Sequence, residues 1–150
     1  MYILGLNVLN AADLQNPAEA KYSIEIIDYN FGRVQHVIKV TNDSLKTDFK
    51  NAKGRVQHKA RALTAQEKKS LQAFMDSFPV NELLKEYINP GVEDGYQLKF
   101  ILKTGGTQKE SYVANVYQKN LGALMEEMDK LIPDNPILYK KEFLPAVNKK

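Results

Sequence analysis

Apolar and polar residues alternate with a period of two along four segments that precede residue 64. That period is typical of β-strands that bury one face. Turn sequences rich in asparagine and glycine separate the segments, so the strands are expected to form an antiparallel meander. The predicted strands span residues 22–29, 33–41, 45–50 and 55–63.

The pattern changes to helical spacing after residue 63. Thr64 and Glu67 fit a capping box, in which the side chain of each residue bonds the backbone amide of the other. Two consecutive glycines further along favour a tight hairpin turn. The predicted elements are a helix from 65 to 78, a short helical turn at 83–88, strands at 96–103 and 109–117, and a helix at 119–131.

Strands and helices therefore occur in runs, which favours an α+β fold over a doubly wound sheet. The predicted architecture is an antiparallel sheet, built as a four-strand meander, a helix, a β-hairpin and a helix, with the helices packed on one face. A length of 150 residues suits one domain. An irregular segment at 1–20, with a candidate edge strand at 2–6, and a basic tail at 140–150 are expected to belong to it. The tail either adds a final strand or packs across the sheet.

One pentapeptide, Gly-Arg-Val-Gln-His, occurs twice, at 32–36 and at 54–58. Each copy follows a turn sequence, so the repeat is interpreted as a glycine turn that starts a strand. In this interpretation Val34 and Val56 point into the protein, and the arginine of each copy points to solvent. We therefore expect both copies to show their arginines on one face of the sheet.

Charge and composition narrow the classes of function. The net charge is only +3, but residues 46–69 hold eight basic and two acidic side chains. Cysteine is absent, which excludes disulfides, thiolate metal ligands and cysteine nucleophiles. The first residues lack the cationic start and long apolar run of a secretory signal, and no segment approaches the length of a membrane-spanning helix. We expect a soluble protein without a membrane partner. Its compartment and oligomeric state stay open.

The basic segment predicts a docking surface on the solvent side of the meander. An acidic protein surface is the expected partner, for example an enzyme or toxin that this protein inhibits. A nucleic acid is the alternative, although the predicted face offers few aromatic platforms for bases. Exposed lysines on strands also discourage aggregation between sheet edges, which is the plain structural explanation. The predicted partner-binding residues are Arg33, Gln35, Lys39, Lys46, Lys50, Arg55, Gln57, Lys59 and Arg61.

Both histidines, His36 and His58, lie inside the repeat and suggest a second alternative, a small enzyme or a metal-binding protein. A zinc site needs three or four ligands, and no suitably spaced acidic residues accompany the pair. By strand alternation His36 shares a face with Ile38 and Val40, which favours a structural role. Neither a nucleophile elbow nor a phosphate loop is present. We therefore predict no catalysis, no metal and no cofactor.

Two segments carry a resemblance to a known family. YINPGVEDG at 87–95 and SYVANVY at 111–117, together with the hairpin between them, resemble a family of small bacterial proteins. Members of that family are often exported and have no characterised function. The resemblance extends over about residues 38–140. It implies a place of action outside the cytoplasm, and it implies no activity and no catalytic residues.

Overall fold

The computed structural model describes residues 21–147, which form an α+β arrangement of one sheet and two α-helices. The candidate edge strand at 2–6 and the rest of segment 1–20 lie outside the described residues. The strands are β1 (Tyr22–Asn30), β2 (Arg33–Thr41), β3 (Ser44–Lys50), β4 (Val56–Ala62), β5 (Glu86–Ile88), β6 (Tyr96–Thr104) and β7 (Thr107–Ala114). The helices are α1 (Ala65–Ser77) and α2 (Lys119–Leu131), and a 3-10 turn at Val80–Glu82 follows α1.

The seven strands lie in the order β4-β3-β2-β1-β6-β7-β5. Neighbouring strands are antiparallel except for β5, which runs parallel to β7. The sheet is therefore mixed, and the prediction of a wholly antiparallel sheet is wrong in this pair. The helical turn predicted at 83–88 is also wrong. The backbone of this segment forms hydrogen bonds with β7 instead. The Tyr112 amide donates to the Lys85 carbonyl, and the Asn89 amide donates to the Ala114 carbonyl, both at 2.9 Å.

One face of the sheet and both helices share a single apolar core. The predicted capping box is present, because Thr64 accepts from the Glu67 amide at 3.2 Å and Glu67 accepts from the Thr64 amide at 2.8 Å. In α2 the buried residues recur at helical spacing and face the sheet. The central part of the core consists of Ile24, Ile26, Ile38, Leu98, Phe100, Leu121, Leu124, Met125 and Met128.

The chain after α2 crosses back and packs against the core. The buried Tyr139 hydroxyl accepts from the Gln118 amide at 2.7 Å and donates to the Val116 carbonyl at 3.0 Å. An isolated parallel bridge joins Tyr117 to Ala146. This segment therefore fixes the start of α2 and adds no strand to the sheet within residues 21–147. In the same residues, no helix is long and apolar enough to cross a membrane.

Candidate functional site

The turn between β1 and β2 presents an exposed aromatic residue in a strained backbone conformation. Phe31 and Gly32 both have positive φ, 49° and 71°, as the two central residues of a type I′ hairpin turn require. Glycine adopts this conformation freely, but for phenylalanine it costs roughly 1–2 kcal/mol. The Phe31 side chain is nevertheless 71% exposed. Strained backbone conformations occur disproportionately at functional sites, which makes this exposed aromatic residue a candidate for binding.

The turn between β3 and β4 is held by Asn51. Its side-chain oxygen accepts from the amides of Lys53 and Arg55, each at 3.0 Å. The Asn51 amide donates to the Arg55 carbonyl, and the Gly54 amide donates to the Asn51 carbonyl, both at 2.9 Å. Gly54 has a positive φ of 74°. This loop is therefore ordered by its own hydrogen bonds, and it fixes the direction in which the second copy of the repeat leaves the turn.

Both turns lie at the same end of the sheet, because β3 runs antiparallel to both β2 and β4. A groove of about 510 Å³ separates them, which we call the turn groove. The groove brings together three of the predicted partner-binding residues, Arg33, Gln35 and Lys50. The groove is lined by Asn30, Phe31, Arg33, Gln35, Lys50, Asn51, Ala52 and Gly54.

The cations of the turn groove and its loop have no acidic partner within residues 21–147. Arg33, Lys50, Lys53 and Arg55 form no ion pair and no side-chain hydrogen bond with those residues. Elsewhere on the sheet, some lysines are paired, for example Lys39 with Glu25 at 3.3 Å and Lys99 with Glu110 at 2.9 Å. The end of the sheet that carries both turns is therefore a concentrated and unneutralised positive surface.

The predicted single basic face is wrong, because the register places the predicted residues on both sides of the sheet. In an antiparallel pair, directly opposite residues project from the same face. Lys59 lies opposite Thr47, which lies opposite the fully buried Ile38. Gln57 and Arg61 each lie two residues from Lys59 along β4, and residues two apart on a strand share a face. All three therefore project on the helix side.

Other members of the predicted set project from the opposite side. Lys39 and Lys46 lie opposite each other there, and Lys39 pairs with Glu25 at 3.3 Å. The error has a physical cause: β4 is an edge strand, and each of its residues is exposed. Alternation along an exposed strand cannot show which of its sides faces the helices.

The valines of the repeat also differ from the prediction. Val34 and Val56 are 45% and 50% exposed, although both were expected to be buried. The register between β1 and β2 shifts at Gln35, which is an extra residue in β2. Such a β-bulge interrupts the alternation, so that Val34 does not share the face of His36.

Arg61 has a structural role. Its guanidinium donates to both carboxylate oxygens of Glu67 and to the carbonyl of Leu131. The side chain thereby joins β4 to the first turn of α1 and to the last turn of α2. Because these donors are occupied within the chain, we leave Arg61 out of the docking surface.

Both histidines border one concavity, but the register places their side chains on opposite sides of the sheet. His36 is buried on the helix side, where its ring meets Phe49 edge-on at 5.2 Å, and burial lowers its pKa. The expected structural role of His36 fits this position. His58 lies on the opposite side and bonds Asp48 at 2.6 Å. Within residues 21–147, no three His, Cys, Asp or Glu side chains are grouped to hold a metal ion.

The importance of Phe31 was missed in the sequence, although a signal was present. Asparagine or glycine is the usual residue before the glycine of a two-residue type I′ turn. Phenylalanine in that place is locally unfavourable, and a residue that opposes its local structure is a candidate for function.

Neither the comparison with protein-family models nor the comparison with curated proteins gives a match to this sequence. The resemblance to small, often exported bacterial proteins therefore stays a prediction. Function is inferred from the geometry and charge of the turn groove.

Proposed function

We propose that this protein is a non-catalytic binding module that docks an acidic protein partner at the turn groove. The observation that carries the proposal is the position of Phe31, strained and 71% exposed, beside the unpaired cations Arg33 and Lys50. Exposed aromatic and arginine side chains supply most of the binding energy in many protein interfaces.

The charges and the aromatic ring have different tasks in this proposal. Arg33, Lys50, Lys53 and Arg55 attract an acidic surface and accelerate the encounter. Phe31 then becomes buried against the partner and slows dissociation. Asn51 holds one wall of the groove in place before binding, so little conformational entropy is lost there. A partner that is an enzyme or a toxin would be inhibited if this docking covered its active site.

A protein partner is favoured over a nucleic acid by the content of the groove. Proteins that bind single-stranded nucleic acids stack successive bases on several aromatic side chains. The turn groove contains one aromatic residue, Phe31. The two partners are also separable by experiment, since binding to phosphates weakens steeply as salt is added.

Fluorescence anisotropy with two labelled probes tests the proposal. One probe is a glutamate-rich peptide that contains tyrosine and leucine, and the other is a thymidine oligonucleotide of equal net charge. The peptide should bind more tightly. The double variant Arg33→Glu/Lys50→Glu should lose about tenfold or more of the peptide affinity.

The matched control is Lys119→Glu/Lys140→Glu, which changes the net charge equally at exposed positions outside the turn groove. It should bind the peptide like the wild-type protein. An equal loss in both double variants, tighter binding of the oligonucleotide, or no saturable binding of the peptide at low salt would each contradict the proposal.

A further inference from the structure

A second concavity lies on the helix side of β3 and β4, beside the residues that follow α2. It has a volume of about 540 Å³, which is in the range of pockets that hold small molecules. We call it the side cleft. Leu45, Leu131 and Ile132 contribute apolar walls, and His36, Thr47 and Lys59 contribute polar groups.

Two of these polar residues are largely buried, but their side-chain polar atoms are not among the enclosed, unpartnered atoms of residues 21–147. His36 is 4% exposed and Thr47 is 8% exposed. Neither side chain forms a hydrogen bond with any residue in 21–147. Because these polar atoms are not enclosed by protein, they are available to form hydrogen bonds with a ligand in the cleft.

The third polar group is a cation. Lys59 lies directly opposite Thr47 in the β3–β4 register, and both line the side cleft. Lys59 forms no ion pair within residues 21–147. The other basic residue at the cleft, Arg61, is already held by Glu67. One carboxylate, Asp134, also lines the cleft, and it belongs to the exposed part of the lining.

We propose that the side cleft binds a small carboxylate with a short aliphatic tail. The carboxylate meets the ammonium group of Lys59 and accepts hydrogen bonds from Thr47 and His36. The tail packs against the walls formed by Leu45, Leu131 and Ile132. A charged hydrogen bond of this kind is about twice as strong as a neutral one, so the carboxylate supplies the selectivity.

The side cleft and the turn groove have no lining residue in common. The small-ligand site is therefore independent of the proposed docking of an acidic protein. Loss of one function does not imply loss of the other.

Nuclear magnetic resonance titration of the full chain with three six-carbon probes tests the proposal. Hexanoate should produce saturable shifts at the His36 ring and at the Ile132 methyl groups. Hexan-1-ol should bind about tenfold more weakly, because it lacks the charge. Hexylamine should bind no better than the alcohol. Equal affinity for hexanoate and hexan-1-ol, or shifts confined to other residues, would overturn the proposal.

Variants separate recognition from a general charge effect. Lys59→Met should weaken hexanoate binding about tenfold and leave hexan-1-ol unchanged. Thr47→Val removes the hydroxyl while keeping the shape of the side chain, and it should weaken hexanoate several-fold. Lys46→Met is the matched control, since Lys46 projects from the other side of the sheet. Equal losses in Lys59→Met and Lys46→Met, or no loss in Lys59→Met, would reject the site.

Discussion

Arg61 and Glu67 form a two-point ion pair, with nitrogen–oxygen distances of 2.7 and 2.9 Å, between the edge strand β4 and the first turn of α1. Glu67 accepts from the Thr64 amide at the same time. One carboxylate therefore closes the capping box and anchors the edge strand. These bonds hold the pKa of Glu67 at about 2, with the Arg61 hydrogen bond as the main cause.

Glu67→Gln should therefore destabilise the fold in a pH-dependent way. Because the Glu67 pKa is lower in the folded protein, the ionised carboxylate contributes its full stabilisation at pH values above the ordinary pKa of 4.5. This contribution is lost as the pH falls toward 2. Because the pair is partly exposed, we expect a loss of about 1–2 kcal/mol at pH 7. Urea unfolding at pH 7 and pH 2.5 measures it. Glu110→Gln, which breaks the exposed pair with Lys99, is the control and should cost less. A loss that is equal at both pH values would contradict this account of Glu67.

Removal of the hydroxyl group should lower the free energy of unfolding at one of two stacked tyrosines and not at the other. The rings of Tyr96 and Tyr139 stack with centroids 5.9 Å apart. The Tyr139 hydroxyl joins two backbone groups, whereas the buried Tyr96 hydroxyl has no partner within residues 21–147. Tyr139→Phe should cost about 2–3 kcal/mol, and Tyr96→Phe should be neutral or stabilising. Thermal unfolding of both variants measures the difference. A larger loss in Tyr96→Phe would contradict the assignment of partners.

Asp28 should lower the stability of the fold at neutral pH. Burial raises its pKa to about 6 from the ordinary value of 3.8. A raised carboxyl pKa penalises the folded state above pH 6, and the penalty vanishes as pH falls toward 3.8. Asp28→Asn should therefore stabilise the protein by about 1–2 kcal/mol at pH 8 and by almost nothing at pH 4. Urea unfolding at the two pH values provides the test, and an equal gain at both would show that charge is not the cause.

The strain at Phe31 should be separable from its proposed role in binding. Asparagine tolerates positive φ and favours a type I′ turn before glycine. Phe31→Asn should therefore raise the free energy of unfolding by roughly 0.5–1 kcal/mol. The same variant should bind the acidic peptide more weakly, because the aromatic anchor is gone. A variant that is more stable and binds as well as the wild-type protein would show that Phe31 is not part of the site.

Much of the fold was predictable from local patterns. Period-two alternation placed β1, β2 and β6, because their alternate residues are buried in the core. Thr64 and Glu67 marked the start of α1 through contacts within one helical turn. By contrast, β5 depends on a pairing with β7 that is distant in sequence. Three residues such as Glu86–Ile88 carry no periodic signal of their own.

The candidate site was predictable only in part. The concentration of positive charge in residues 46–69 drew attention to the β3–β4 region, whose loop forms one wall of the turn groove. The common face was wrong, because an extra residue at Gln35 and the exposed edge strand β4 both break the link between alternation and burial. The turn groove needs two loops from different hairpins, and their proximity follows from strand order rather than from sequence.

Photo-cross-linking from position 31 tests the proposed docking most directly. Phe31→p-benzoyl-phenylalanine keeps an aromatic ring at the tip of the turn, and Phe143→p-benzoyl-phenylalanine is the control at another exposed phenylalanine. In cells that make this protein natively, position 31 should cross-link to an acidic protein, and position 143 should not. The product should disappear when Arg33→Glu and Lys50→Glu are added. A product that persists after these changes, an equal product from position 143, or a cross-link to nucleic acid alone would contradict the account.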